Sequence, residues 1–232
     1  MNYDYVYENY DALKREIAEL AARAGREVTL VCVTKSGSDS EVIALAEAGM
    51  TDLGENRPQS LCQRGELLRD RGYEPRMHEI GNLQRNKVKY IAERVALIHS
   101  LDSIELAAEI NKQALRHGRR IPVLIEINSG REEAKGGVLP EEAEEFFLEV
   151  RKLEGLAVSG IMTMGPALED AEEMRPYFRL TKEIFEKIKN TYGFEGDGIL
   201  SMGMSDSYAV AIEEGATLVR VGRKLFYKGK GE

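Results

Sequence analysis

The sequence predicts an α/β protein folded as a single-domain (β/α)8 barrel of the TIM type, with one additional helix ahead of the first strand. Strand-length apolar runs alternate with amphipathic helical patterns along the 232 residues, each unit taking about 20 to 35 residues, as parallel strands joined by helical crossovers require. The runs number about eight, and about eight units in somewhat under 250 residues suit barrel closure better than two open sheets. No Pro-, Ser- or Gly-rich linker divides the chain, so one domain over 1–232 is expected.

The first element is an amphipathic helix over 7–24, with Tyr10, Leu13, Ile17, Leu20 and Ala21 at helical spacing and Gly25 closing it. The run 28–34 is β-branched and apolar on both faces, as a strand covered on both sides must be. Ser38 and Glu41 then have capping-box spacing ahead of Val42, Ile43, Leu45 and Ala46, and Gly49 ends that helix. The same phrase recurs with strands predicted over 52–54, 77–80, 96–99, 121–127, 156–161, 199–202 and 217–221. Helices are predicted between them over 58–71, 84–93, 104–116, 140–152, 171–190 and 205–213. An open doubly wound sheet is the structural alternative, but the turn after its first strand, Lys35-Ser36-Gly37-Ser38, has too few glycines for a dinucleotide loop.

Composition narrows the function. The 32 Lys and Arg against 40 Asp and Glu leave a net charge of -8, which repels a phosphate backbone, so nucleic acid is not an expected partner. Cys32 and Cys62 are the only cysteines and form no CxxC pair, and no His cluster has zinc spacing. Neither a disulfide framework nor a metal site is therefore expected. With 43% hydrophobic residues the chain can build a core without such staples. No basic apolar leader and no bilayer-length apolar run occurs, so the expectation is a soluble cytoplasmic protein with no membrane partner.

In a barrel of this type the site forms at the C-terminal ends of the strands. Lys35 directly follows the first strand, on the face shared by Thr29, Val31 and Val33. A lysine leaving a dry strand end can have its amine freed for Schiff-base formation, although position alone favours an ordinary solvated lysine. After the eighth strand, Gly222 and Arg223 offer backbone N–H groups where barrels often hold a phosphate. After the seventh, Ser205 can cap the next helix or turn its hydroxyl to the same anion. Arg220 shares a face with Leu218 and Gly222, so its guanidinium should point into the mouth and needs an acceptor there.

His78 and His99 each read as a lone histidine at a strand end, more in keeping with hydrogen-bonded scaffolding than with acid/base catalysis. Met162, Met164, Met202 and Met204 read as barrel packing, with Met202 also able to touch a ring. Glu141, Glu142, Glu144, Glu145 and Glu149 form a solvated acidic helix face that suits the helix dipole. The cations Arg116, His117, Arg119 and Arg120 sit at a helix end, and Arg85, Lys87 and Lys89 form another solvated face.

Several strings, in order along nearly the whole chain, carry a family resemblance: Val33-Thr34-Lys35, Gly54-Glu55-Asn56-Arg57, His78-Glu79-Ile80-Gly81-Asn82-Leu83-Gln84, Asn86-Lys87, His99-Ser100, Gly160-Ile161-Met162-Thr163, Leu200-Ser201-Met202-Gly203-Met204-Ser205 and Val219-Arg220-Val221-Gly222. In these the chain resembles the YggS-like pyridoxal phosphate homeostasis proteins, a family similar to the barrel domain of alanine racemase. The resemblance implies pyridoxal 5'-phosphate as cofactor, bound covalently as an aldimine of Lys35. It also implies a phosphate held by Ser205 and the backbone of Gly222 and Arg223, Arg220 against the pyridine nitrogen, and Asn56 and Met202 lining the ring pocket. The chain departs from the family's common pattern at Ser36-Gly37-Ser38, Asn82, Arg85 and Arg223, which bears on the outer part of the site.

The same resemblance separates a carrier from an enzyme. Pyridoxal phosphate becomes a strong electron sink when its ring nitrogen is protonated, usually beside a carboxylate, and an arginine donor keeps that nitrogen unprotonated. A racemase also needs an acid or base on the opposite face, which alanine racemases draw from an additional β domain, and only about ten residues follow Gly222 here. The expectation is therefore a protein of intracellular pyridoxal phosphate homeostasis that stores, protects or delivers the cofactor, with no catalytic residue of its own. An amino-acid racemase is the alternative and an unrelated Schiff-base aldolase a third. Apo forms of pyridoxal phosphate enzymes are the expected recipients, and a monomer the expected state.

Overall fold

Eight strands form where the apolar runs predicted them: β1 (Thr29–Val33), β2 (Asp52–Glu55), β3 (Arg76–Glu79), β4 (Leu97–Leu101), β5 (Ile121–Glu126), β6 (Leu156–Met162), β7 (Ile199–Ser201) and β8 (Leu218–Val221). The computed structural model describes residues 3–132 and 134–228, so the two ends of the expected 1–232 span lie outside the described residues. All neighbouring strands pair in parallel, in sequence order, and β8 closes on β1 with Val31 opposite Arg220. Strict βα alternation with right-handed crossovers leads to this closure.

The helices that cover the barrel are α1 (Asp4–Arg23), α2 (Asp39–Glu47), α3 (Pro58–Arg69), α4 (Val88–Ile91), α5 (Ile104–Arg116), α6 (Ala143–Val150), α7 (Arg175–Tyr192) and α8 (Tyr208–Glu213). Three of the predicted helices, those over 84–93, 140–152 and 171–190, open with a short 3-10 turn before the α-helix proper. At α2 the capping box is formed, with Ser38 donating its N–H to Glu41 Oε2 at 2.7 Å and its hydroxyl accepting from Glu41 N at 3.4 Å.

Strand alternation splits the core in two. Cys32, Leu53, Ile98, Val123, Ile125, Ile161, Leu200, Val219 and Val221 face outward and pack with the apolar stripes of the helices. Val31, Leu97, Leu124, Met162 and Leu218 face inward and fill the barrel's interior as a separate cluster. Above that cluster the inward positions turn polar, and the site is built there.

Two features position the mouth. Gly160 in β6 passes so close to β7 that a Cβ there would lie 1.9 Å from the Ile199 carbonyl oxygen, beside the point where the β5–β6 register shifts. Asn9 of α1 donates to the carbonyls of Leu225 and Tyr227 at 3.3 and 2.7 Å, tying the additional helix to the 3-10 turn Arg223–Phe226 that follows β8. Among the described residues no helix is long and apolar enough to cross a membrane, and no group of three His, Cys, Asp or Glu is arranged to hold a metal ion. Cys32 is buried and Cys62 half-buried, both as free thiols.

Candidate functional site

Lys35 leaves β1 exposed at the barrel mouth, beside β8. The two strands approach closely there, since a Cβ at Gly222 would meet the Val33 carbonyl oxygen at 2.9 Å. The turn after Lys35 is fastened at several points. Gly37 donates its N–H to the Thr34 carbonyl at 3.0 Å, its own carbonyl accepts from Arg64 at 2.6 Å, and Arg64 pairs with Asp39. The Phe226 ring fills the space in which a side chain at position 37 would stand, 2.6 Å from where its Cβ would be. Glycine in the departing Ser36-Gly37-Ser38 segment thus lets the C-terminal turn pack directly on the lysine loop.

Ser205 and Gly222 converge from the loops after β7 and β8. Gly222 donates its N–H to Ser205 Oγ at 3.3 Å, and Arg220 N–H reaches the Gly203 carbonyl at 3.1 Å, so the two loops are joined twice. Ser205 is not the helix cap that its spacing allowed: α8 begins at Tyr208, and Ser207 stands at the N-cap and closes the turn onto Met204 N at 3.2 Å. The Ser205 hydroxyl is therefore left for the mouth. Arg223 follows Gly222, and its side chain turns outward to an exposed pair with Asp206.

Arg220 points into the barrel as its strand parity predicted and is buried. Its two terminal nitrogens donate to Ser201 Oγ at 2.6 Å and to the Thr163 carbonyl at 3.1 Å. Burial lowers its pKa to about 10, with Glu126 opposing the shift. Behind it the two histidines that read as lone residues in the sequence meet. His99 Nδ1 lies 3.0 Å from Ser201 Oγ, His99 Nε2 lies 3.0 Å from His78 Nδ1, and His78 Nε2 lies 2.9 Å from Asp52 Oδ1. Complete burial, reinforced by His78 and Arg220, holds His99 well below the usual imidazole range.

Three carboxylates were not legible as site candidates. Glu126, at the end of β5, has its pKa raised to about 7 by burial and by Asp102, against the pull of Arg220. It lines a cavity of about 240 Å³ on the rim formed by β3, β5 and β6, together with Asn82, Asn128, Lys135 and Met164. Glu55, beneath the Lys35 turn, accepts the Thr34 hydroxyl at 2.6 Å, while burial raises its pKa against that bond and the nearby Arg64. Glu79 is fully buried behind β3, where burial raises its pKa to about 8 and Oε2 has no partner. The signal available for Glu126 was its inward parity at a strand end, shared with Leu124.

The remaining expectations separate by position. Asn56 follows β2 on its inward face, half-buried, with its carbonyl 2.3 Å from where a Cβ of Gly81 would be. Met202 is completely buried in the layer between barrel and helices, outside the interior cluster, so its side chain packs away from the mouth. Met162 packs inside the barrel, whereas Met164 and Met204 lie past the strand ends, 39% and 36% exposed, and are not barrel packing.

The alanine racemase N-terminal domain family matches residues 9–228. The pyridoxal phosphate homeostasis protein of Aquifex aeolicus is 41% identical over 226 residues, covering 96% of this chain and 98% of that one. A crystal structure of an unknown protein from Bifidobacterium adolescentis superposes with a TM-score of 0.87 at 32% identity, covering 97% and 95% of the two chains. The structure of PipY from Synechococcus elongatus with PLP bound superposes with a TM-score of 0.81 at 25% identity, covering 96% of this chain and all of that one.

Proposed function

The chain belongs to the pyridoxal phosphate homeostasis family, built on the alanine racemase N-terminal domain, and from that premise we propose that it binds pyridoxal 5'-phosphate at the barrel mouth and holds it covalently through Lys35. The observation that carries this reading is the convergence, around one strand pair, of three groups the cofactor needs. An exposed amine stands at the end of β1, a hydroxyl and a backbone N–H meet at Ser205 and Gly222, and the buried donors of Arg220 lie below them. Gly222 fits a close approach, because any side chain there would strike the Val33 backbone.

When bound, pyridoxal phosphate supplies an aldehyde and an electron-withdrawing ring. Lys35 provides the attaching amine. Ser205 and the N–H groups of Gly222 and Arg223 would hold the phosphate, with the Ser205 hydroxyl and the Gly222 N–H both turned toward it as donors. Arg220 carries only N–H donors and donates to the ring nitrogen, which keeps a proton off that atom. Asn56 would border the ring from β2, whereas the Met202 side chain packs outside the barrel.

Storage, protection and delivery of the cofactor follow as the role, rather than turnover of amino acids. Arg220, where strong electron sinks have a carboxylate, is the reason. A monomer acting in the cytoplasm, with apo forms of pyridoxal phosphate enzymes as recipients, completes the proposal.

The test is reduction with borohydride after incubation with pyridoxal phosphate, followed by peptide mapping. The pyridoxyl group should appear on Lys35, and transfer to an apo-enzyme should occur without alanine racemisation. A label on another lysine would refute the attachment. Racemisation or transamination at enzyme-like rates, of order one per second or faster, would refute the carrier role.

A further inference from the structure

We propose that Asp52, His78, His99 and Ser201 are positioning residues for Arg220, forming a hydrogen-bond relay of fixed direction that crosses the barrel interior and presents Arg220 to the mouth as an oriented cation. The role of Arg220 toward the cofactor ring rests on the reading above; the relay itself rests on the geometry of this chain.

The relay starts at the N-terminal end of the barrel. Asp52, in β2, lines a cavity of about 400 Å³ there with Arg76, His78 and Leu218. Its carboxylate accepts from Arg76 at 2.8 Å, from Thr51 at 2.8 Å and from His78. Burial opposes its ionisation, but these bonds outweigh the burial and hold its carboxyl below the ordinary range. A carboxylate has no proton to give, so His78 Nε2 must be the donor.

Two directions remain beyond that point, and Ser201 chooses between them. In one, His78 Nδ1 accepts from His99 Nε2–H, and His99 Nδ1 accepts the Ser201 hydroxyl. In the other, His78 donates through both nitrogens and His99 Nδ1–H points at Ser201 Oγ. Arg220 can only donate, so in the second case Ser201 would receive two donors and its own hydroxyl hydrogen would need a third partner. Among the described residues Ser201 Oγ has hydrogen bonds to His99 and Arg220 alone. A buried hydroxyl left without an acceptor is costly, so the first direction holds. Donors therefore run from Arg220 through Ser201, His99 and His78 to Asp52, positive end at the mouth and negative end at the far face.

This direction matters for Arg220. With its hydrogen committed to His99, Ser201 presents only lone pairs to the guanidinium, and the Thr163 carbonyl presents lone pairs from the neighbouring strand end. Two acceptors fix the guanidinium plane and leave its other N–H groups for a ligand. Aligned bonds in a low-dielectric interior polarise one another, so the Asp52 charge supports the buried cation across the barrel.

Histidine nitrogen resonances in the cofactor-free protein test the relay directly, since the chain has three histidines and His117 is an exposed reference. His78 and His99 should both carry hydrogen on Nε2 and none on Nδ1. A hydrogen on Nδ1 of either buried ring would overturn the proposal. A double-mutant cycle then reads the link to Arg220: Ser201→Ala and His99→Phe should each weaken pyridoxal phosphate binding about tenfold and shift the absorption of the bound cofactor, while inorganic phosphate binds as before. The double variant should lose no more than the worse single one; additive losses, or unshifted spectra, would overturn it. If His99→Phe does not fold, Ser201→Ala in the cofactor-free protein decides, because the His99 Nδ1 resonance must move while Nε2 stays protonated, and an unmoved resonance counts against the relay. A wild-type chain that binds no pyridoxal phosphate would overturn the cofactor reading alone, since the tautomer result is obtained without it.

Discussion

Gly222 donates its backbone N–H to Ser205 Oγ across 3.3 Å, joining the loops after β7 and β8. In this arrangement the serine accepts, although it can also donate, and an anion placed between the two would take both hydrogens. Ser205→Ala should therefore lower affinity for pyridoxal phosphate about tenfold, as expected for loss of one charge-assisted bond worth roughly 1.5 to 3 kcal/mol. Pyridoxal without its phosphate should be affected little. Titration with both ligands checks this, and equal losses would remove Ser205 from the phosphate site.

Gly160→Ala tests the wall of the barrel. The new Cβ would stand 1.9 Å from the Ile199 carbonyl oxygen, and the obstacle is backbone on the neighbouring strand, not a side chain that can swing away. Closure between β6 and β7 would have to open, at a cost of about 4 kcal/mol or more. In a chain of this size the thermal midpoint should fall by about 10 °C or more. A calorimetric scan with an unchanged midpoint would refute the close approach.

How legible the site was depends on whether its parts lie near one another in sequence. Lys35, Ser205, Arg220 and Gly222 each follow or end an apolar run, so once the barrel is inferred the strand ends put them at the mouth, and strand parity turns Lys35 and Arg220 inward. For Ser205 the sequence leaves two roles open, and the start of α8 at Tyr208 removes the helix cap. The histidines were harder. His78 and His99 stand on adjacent strands and Ser201 is 102 residues from His99, so only closure of the barrel brings the three together. Their common inward parity was present in the sequence, but nothing local marks two lone histidines as partners. Met202 failed for the opposite reason: the side chain next to inward Ser201 must face outward, and the strand rule that placed Arg220 inside already implied it.

Glu79 sets a pH dependence of stability. Its carboxyl is fully buried behind β3, has one oxygen without a partner, and carries a folded-state pKa raised to about 8 by burial, against about 4.3 in an unfolded chain. Between those values the folded state binds the proton and the unfolded state does not. Stability should therefore fall as pH rises from about 4.3 through about 8, at up to about 1.4 kcal/mol per unit from this group. Glu126 and Glu55 shift in the same direction and add to the slope. Glu79→Gln keeps the shape and removes the proton, so denaturant titrations of the variant at about pH 6 and about pH 8 should differ less than those of the parent. An equal fall in both proteins would show that Glu79 is ionised in the fold.

Arg220→Glu tests the chemical choice between holding the cofactor and using it. The arginine now donates to Ser201 at 2.6 Å and to the Thr163 carbonyl at 3.1 Å. A carboxylate in its place could accept the Ser201 hydroxyl only by taking that hydrogen from His99, and it would face the Thr163 carbonyl with no donor and stand near Glu126. Both effects favour its protonated form and cost stability, so thermal stability should drop and cofactor affinity must be measured alongside reactivity. Where the cofactor still binds, a carboxyl group beside the ring nitrogen lets that nitrogen hold a proton, which strengthens the electron sink the arginine suppresses. On addition of an amino acid, the variant should convert bound pyridoxal phosphate to pyridoxamine phosphate faster than the parent does, releasing the corresponding keto acid. Chromatography of the released cofactor distinguishes the outcomes. Equal conversion in parent and variant, at matched occupancy, would show that Arg220 does not govern the ring nitrogen, and would leave the carrier reading without its chemical basis.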